Sequence, residues 1–174
     1  EFVYQMNSAD SGFDLEFTEK SWFDDVKLRV RRFPQIMTLH DLDHAIAPTQ
    51  WQAKTAPEFY SHKISIIHEG INTNLIKPNI NANISIKRAG LSLSSKDKIV
   101  TFVARNLEPY RGFHIFMRML TRLQKLNPDC QVIIVGGDSV SYGSFPKNCK
   151  SWRMNLLSEL DGQIDLDRLH FVGR

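Results

Sequence analysis

The chain has 174 residues, of which 42% are hydrophobic and 24% are charged, so it can bury a core and wholesale disorder is excluded. Its net charge of +3, from 22 basic and 19 acidic residues, is too small to indicate a nucleic-acid-binding protein. Two cysteines make no disulfide framework, which predicts free thiols in a reducing compartment, and no apolar stretch approaches the roughly 20 residues that span a bilayer.

The N-terminal stretch is predicted to be an irregular segment followed by a helix. Residues 1–25 are acidic and contain several aromatic side chains, which indicates an irregular, partly anchored segment. Residues 22–39 place apolar side chains at helical spacing, and Pro34 within them is expected to break or kink the helix.

Two short strands and a linker are predicted next along the chain. Residues 45–52 combine a short strand with a turn, in which Thr49 can cap a short helix. Residues 63–68 are rich in β-branched side chains and predict a second strand. Residues 72–96 are rich in Asn, Ser and Lys, a composition that is typical of a linker.

The C-terminal part of the chain alternates strands and helices. Apolar runs at 98–104, 131–136 and 168–173 predict strands, and the apolar spacing at 112–126 and 151–160 predicts helices between them. This alternation predicts an α/β fold with a parallel sheet and right-handed crossovers.

Two arginines flank the turn after the first of these strands. Arg105 follows the strand at 98–104, and Arg111 is followed directly by Gly112 at the start of the next helix. Ligands of open α/β sheets bind at the carboxyl ends of the strands. One guanidinium group can donate two parallel hydrogen bonds to the oxygens of a phosphate. The arrangement indicates a phosphorylated ligand, and Gly112 would let it approach closely. The alternative is that both arginines are ordinary solvated side chains.

A second candidate group follows the next strand. Gly136, Gly137 and Asp138 stand where the paired glycines can expose backbone N–H groups to an anion, or can simply form a turn. The chain contains neither a Gly-x-Gly-x-x-Gly fingerprint nor a Walker-type Gly-Lys-Ser/Thr motif. A dinucleotide reductase and a P-loop enzyme are therefore disfavoured.

The histidines give weaker indications. His68 ends the predicted strand at 63–68 and is interpreted as part of a glycine turn. His40 and His44, with Asp41 and Asp43 between them, have a spacing that fits one helical face, but a third metal ligand is not evident. No metal site is predicted.

Several segments resemble motifs of the bacterial group 1 (family 4) glycosyltransferases. Residues 103–113 are similar to that family's strand-loop-helix, and residues 133–138 and 169–174 resemble its next two strand ends. Residues 48–52 and 67–73 are similar to the segments just before its second domain. The likeness covers nearly the whole chain in the same order.

The resemblance implies a GT-B fold of two Rossmann-like domains with a cleft between them. It assigns residues 1–72 to the end of an N-terminal, acceptor-side domain, 73–96 to a linker, and 97–174 to an incomplete nucleotide-sugar-binding domain. It implies a nucleoside diphosphate sugar as donor, retention of the anomeric configuration, and neither a metal nor another cofactor.

The same resemblance suggests roles for individual residues. Arg105 takes the place of the family's arginine and Arg111 that of its usual lysine, so both are expected to stabilise the leaving diphosphate. The residues expected to bind the rest of the nucleotide sugar are Asn106, Gly112, Gly136, Gly137, Asp138, Gly173 and Arg174.

The expected partners follow from that reaction. The acceptor would be a saccharide or a lipid-linked saccharide in polysaccharide biosynthesis, and the location cytoplasmic, with a peripheral contact at the inner membrane face left open. The family's paired-glutamate motif would lie beyond Arg174, so we expect an active parent enzyme and a nearly inactive fragment. A non-catalytic Rossmann-like module, or a sugar-nucleotide epimerase or phosphorylase on the same fold, remains an alternative.

Overall fold

A computed structural model describes residues 16–17, 22–87, 90–141 and 143–174. The chain divides into two compact units, Glu1–Lys77 and Pro78–Arg174, and each is described by itself. Most of the predicted irregular segment at 1–25 lies outside the described residues.

The first unit contains helices and a two-stranded parallel sheet. Its elements are α1 (Trp22–Asp41), β1 (Ala45–Ala47), α2 (Gln50–Ala53), a 3-10 helix (Glu58–Lys63) and β2 (Ile64–Ile66). Helix α1 continues through Pro34, so the proline does not break it. Thr49 caps α2 as predicted, because its side-chain oxygen accepts a hydrogen bond from the Gln52 N–H at 3.2 Å.

A small core holds these elements together. Leu39 of α1 packs with Ala56 and Tyr60 in a buried cluster. The ammonium group of Lys63 donates hydrogen bonds to the carbonyl oxygens of His40 (3.0 Å) and Leu42 (2.8 Å) at the end of α1. These carbonyls have no partner within the helix, so the lysine ties the helix end to the start of β2.

The second unit contains a hairpin and a parallel sheet with two crossover helices. Its elements are β3 (Asn83–Ile86), β4 (Leu91–Ser94), β5 (Ile99–Asn106), α3 (Phe113–Leu126), β6 (Gln131–Gly137), α4 (Trp152–Glu159) and β7 (Leu169–Gly173). Strands β5, β6 and β7 lie side by side in that order, and both pairs are parallel. The predicted α/β fold with a Rossmann-like parallel sheet is confirmed.

The apolar stripe of α3 covers one face of this sheet. Phe113, Met117 and Leu120 are buried, and the ring of Phe102 on β5 lies 5.5 Å from the ring of Phe113 and 4.8 Å from that of Phe116. Burial of these aromatic and aliphatic groups fixes α3 against the sheet and thereby places the β5–α3 loop at the carboxyl edge.

The hairpin β3–β4 occupies part of the predicted linker. Ile86 and Leu93 form a buried cluster with Ile133 of β6, so residues 83–94 belong to the packed second unit. Within this Asn- and Ser-rich segment, apolar and polar side chains alternate along both strands. The buried apolar side chains, those of Ile86 and Leu93, pack against the sheet. The structure therefore differs from a linker there, while the assignment of the flanking segments to two domains stays a prediction.

Candidate functional site

A cavity of about 530 Å³ lies at the carboxyl ends of the parallel strands. Its lining residues are Arg105, Asn106, Ser139, Val140, Ser141 and Arg174. Arg105 and Asn106 end β5, the serines follow β6, and Arg174 follows β7. Because parallel strands end at the same edge of a sheet, three segments that are distant in sequence converge on one cavity.

The end of β5 departs from regular pairing at the cavity. Val103 pairs with Val135 and Asn106 with Gly137, so β5 uses one residue more than β6 between these pairs. A bulge of this kind changes the direction of nearby side chains. Arg105 lies within this irregular stretch, with an exposed side chain.

Asn106 connects the loop after β5 to the loop after β6. Its side-chain amide donates a 2.7 Å hydrogen bond to the Ser141 hydroxyl oxygen, and the residue is 8% exposed. The backbone N–H of Leu107 also donates to the Gly137 carbonyl oxygen at 2.9 Å. The predicted site residue Asn106 thus helps to shape the cavity as well as line it.

Glu108 was not among the predicted site residues, yet it contacts the loop after β6 that lines the cavity. It is fully buried, and its carboxylate accepts hydrogen bonds from the Ser141 N–H at 3.1 Å and 3.0 Å and from the Gly143 N–H at 3.4 Å. A buried carboxylate needs such donors. The signal in the sequence is an acidic residue inside a short loop that also contains two arginines.

Gly136 and Gly137 are explained by close packing. A Cβ atom on Gly136 would lie 2.7 Å from Leu107 Cδ2 and 2.9 Å from the Ala104 carbonyl oxygen. A Cβ atom on Gly137 would lie 2.8 Å from Asn106 Oδ1. The backbone contact requires glycine at position 136 whether or not a nucleotide binds, whereas at position 137 the Asn106 side chain would have to move. The predicted role of both glycines in nucleotide binding stays a prediction.

Gly112 and Gly173 are explained by backbone conformation. Their φ angles are +74° and +83°, in the left-handed region that favours glycine. Gly112 lies between the 3-10 helix Pro109–Arg111 and α3, as the capping residue of both. Gly173 ends β7 directly before Arg174. Both glycines therefore set the path of loops that carry predicted arginines.

The described residues that line the cavity include neither Arg111 nor Asp138. Arg111 is the exposed last residue of the 3-10 helix Pro109–Arg111. Asp138 forms an ion pair of 2.8 Å with Arg153, whose guanidinium lies 5.1 Å from the ring centre of Phe171. The structure brings Arg105 and Arg174 together at the cavity, and the expected roles of Arg111 and Asp138 stay predictions.

One member of the histidine group at residues 40–44 forms a hydrogen bond with a serine side chain. His44 Nε2 lies 2.8 Å from the Ser65 hydroxyl oxygen. Within the described parts of the chain, no group of three or more His, Cys, Asp or Glu residues could hold a metal ion. Cys130 and Cys149 are both free thiols.

No helix in the described ranges is both long and apolar enough to cross a membrane.

Comparison with known proteins supplies evidence that is independent of the cavity. Residues 1–76 match the model of the glycosyl transferase family 4 group. No curated protein matches the chain. The matched region lies in the first compact unit, whereas the cavity lies in the second. The match covers less than half of the chain, and over residues 1–76 it confirms the predicted resemblance to group 1 family 4 glycosyltransferases.

Proposed function

We propose that the second compact unit binds the nucleoside diphosphate sugar of a glycosyltransferase, with the diphosphate in the cavity between Arg105 and Arg174. The family match supports a role in sugar transfer. The observation that carries the placement is the cavity at the strand ends, where both charged side chains among the described lining residues are arginines.

The chemistry of the lining fits a diphosphate. Each guanidinium can donate two parallel hydrogen bonds to phosphate oxygens. Ser139 and Ser141 add hydroxyl donors at the same cavity. The nearest buried carboxylate, that of Glu108, accepts hydrogen bonds from loop amides and is not among the lining groups, so it does not close the cavity to an anion.

The same arrangement suits the departure of a diphosphate. Cleavage of the bond between sugar and diphosphate builds negative charge on the leaving group, and fixed cations lower that barrier without proton transfer. We assign Arg105 and Arg174 to this charge, with Arg111 as a further contact from the 3-10 helix. Retention of configuration, a saccharide or lipid-linked acceptor, independence of metals and a cytoplasmic location belong to the same proposal.

Calorimetric titration with UDP, GDP and ADP tests this function. The chain should bind at least one of them, and Arg105→Ala and Arg174→Ala should each weaken binding about tenfold through loss of a charge-assisted contact. Arg111→Ala should have a smaller effect, because Arg111 does not line the cavity.

A matched control is Arg122→Ala, which removes an exposed arginine from α3 and should leave the affinity unchanged. Absence of binding of all three nucleotides, or equal losses for Arg122→Ala and Arg105→Ala, would contradict the proposal. Product analysis with a labelled nucleotide sugar then separates transfer to an acceptor from epimerisation.

A further inference from the structure

We infer that Glu108 is a positioning residue for the diphosphate cavity, holding the loop after β6 in the shape that binds the anion. The inference rests on the proposed function, because it concerns the same cavity. Glu108 lies outside the lining and acts through Ser141, which it holds.

Ser141 is held at two points by the loop after β5. Its backbone N–H donates to both carboxylate oxygens of Glu108, and its hydroxyl oxygen accepts from the Asn106 amide at 2.7 Å. An accepting hydroxyl keeps its own proton for a further acceptor. The Asn106 amide therefore donates to the Ser141 hydroxyl oxygen, and the Ser141 hydroxyl can in turn donate to a phosphate oxygen in the cavity.

Gly143 adds a third attachment. Its N–H donates to the second carboxylate oxygen of Glu108 at 3.4 Å. A Cβ atom at this position would lie 3.1 Å from Cδ2 of the Tyr110 ring, closer than ordinary van der Waals contact, so the loop and the 3-10 helix pack closely at Gly143. The buried carboxylate of Glu108 holds the loop at this close distance.

The site needs a carboxylate rather than an amide of the same size. Both oxygens of Glu108 accept from N–H groups. A glutamine would turn an NH₂ donor towards one of these N–H donors, and a buried donor without an acceptor is costly. The loop would move to relieve this contact and would take the Ser141 hydroxyl with it.

Titration with inorganic pyrophosphate tests the inference. We compare the unmodified chain with Glu108→Gln, Glu108→Asp and Arg105→Ala, and with Glu159→Gln as a matched control. Glu159 is an exposed carboxylate paired with Arg118 at 2.6 Å and is no part of the cavity. Amide hydrogen exchange is followed in each variant at Ser141 and Gly143, and in β6 as a reference.

The expected pattern separates positioning from a general loss of stability. Glu108→Gln should weaken pyrophosphate binding about tenfold and speed exchange at the Ser141 and Gly143 amides, while exchange in β6 is unchanged. Glu108→Asp keeps two acceptor oxygens and should bind more tightly than Glu108→Gln but less tightly than the unmodified chain. Glu159→Gln should change neither measurement.

Other outcomes overturn one claim or both. Unchanged affinity in Glu108→Gln, beside weakened affinity in Arg105→Ala, overturns the positioning role and leaves the proposed function in place. No binding to the unmodified chain overturns the proposed function and this inference with it. Should Glu108→Gln fail to fold, Glu108→Asp decides, because an affinity equal to that of the unmodified chain contradicts the inference and a weaker one supports it.

Discussion

At the scale of single residues, two neighbouring glycines serve different contacts. Gly136 stands against the backbone oxygen of Ala104 and the side chain of Leu107, whereas Gly137 faces the side-chain oxygen of Asn106. A backbone atom in a paired strand cannot move easily, but a side-chain amide can rotate. Identical residues in sequence should therefore respond differently to the same substitution.

We predict that Gly136→Ala lowers the free energy of unfolding by about 1–3 kcal/mol, because the added methyl group overpacks a buried site. Gly137→Ala should cost less stability but should displace the Asn106 amide and weaken diphosphate binding. Urea unfolding and calorimetric titration of both variants measure the two effects. The prediction is contradicted if Gly137→Ala reduces stability more than Gly136→Ala while leaving the affinity unchanged.

At the scale of elements, the end of α3 is fastened to the segment before β7. Arg168 donates hydrogen bonds to the carbonyl oxygens of Asn127 at 3.0 Å and Pro128 at 2.7 Å, and to Asp165 Oδ2 at 2.7 Å. The Gln124 side chain donates to the Asp165 carbonyl oxygen and accepts from the Asp165 N–H. These contacts fix the segment before β7 against the end of α3. They therefore help to position β7, and with it Arg174, at the edge of the sheet.

A pH dependence follows from Asp165. The hydrogen bond from Arg168 lowers the pKa of this carboxyl below its ordinary value of 3.8 in the folded chain, with a smaller opposing effect of burial. A carboxyl group whose pKa is lower in the folded chain than in the unfolded chain stabilises the fold at pH values above its unfolded-state pKa. This stabilisation is lost as the pH falls through the folded-state pKa. Asp165→Asn should remove this contribution.

Because the Asp165 side chain is exposed to solvent, the loss should be small, about 0.5 kcal/mol near neutral pH. The unfolding free energies of the two proteins, measured in urea from about pH 5 to pH 2, should converge as the solution is acidified. A difference that stays constant, or grows, across this range would contradict the assignment.

At the scale of the whole molecule, the two compact units divide at Lys77 and Pro78. The second unit contains the sheet, both crossover helices, the hairpin β3–β4 and the entire cavity. Its buried cluster of Ile86, Leu93 and Ile133 joins the hairpin to the sheet. The unit therefore has the contacts that a domain needs to fold alone.

We predict that residues 78–174 expressed alone unfold cooperatively and keep the diphosphate affinity of the whole chain. A shorter piece, 97–174, lacks the hairpin and exposes Ile133, which should cost about 2 kcal/mol from loss of apolar burial. Circular dichroism and thermal unfolding of both pieces provide the measurement. Equal stability of the two pieces would show that the hairpin contributes nothing, as expected of a linker.

Elements with local patterns could be predicted from the amino-acid sequence. The apolar spacing of Phe113, Met117 and Leu120 predicted α3, and the apolar runs around it predicted the parallel sheet, because helix and strand periods can be read from neighbouring residues. The Thr49 cap was predicted for the same reason, since its partner lies three residues away.

Contacts between side chains from distant segments could not be predicted in this way and became visible in the folded chain. Arg105 shares its cavity with Arg174, and Glu108 holds a loop 33 residues further along the chain. These contacts depend on strand order, on the bulge in β5 and on the close approach of backbone allowed by Gly136 and Gly137. No local pattern encodes such contacts, because they are set by the packing of segments far apart in sequence.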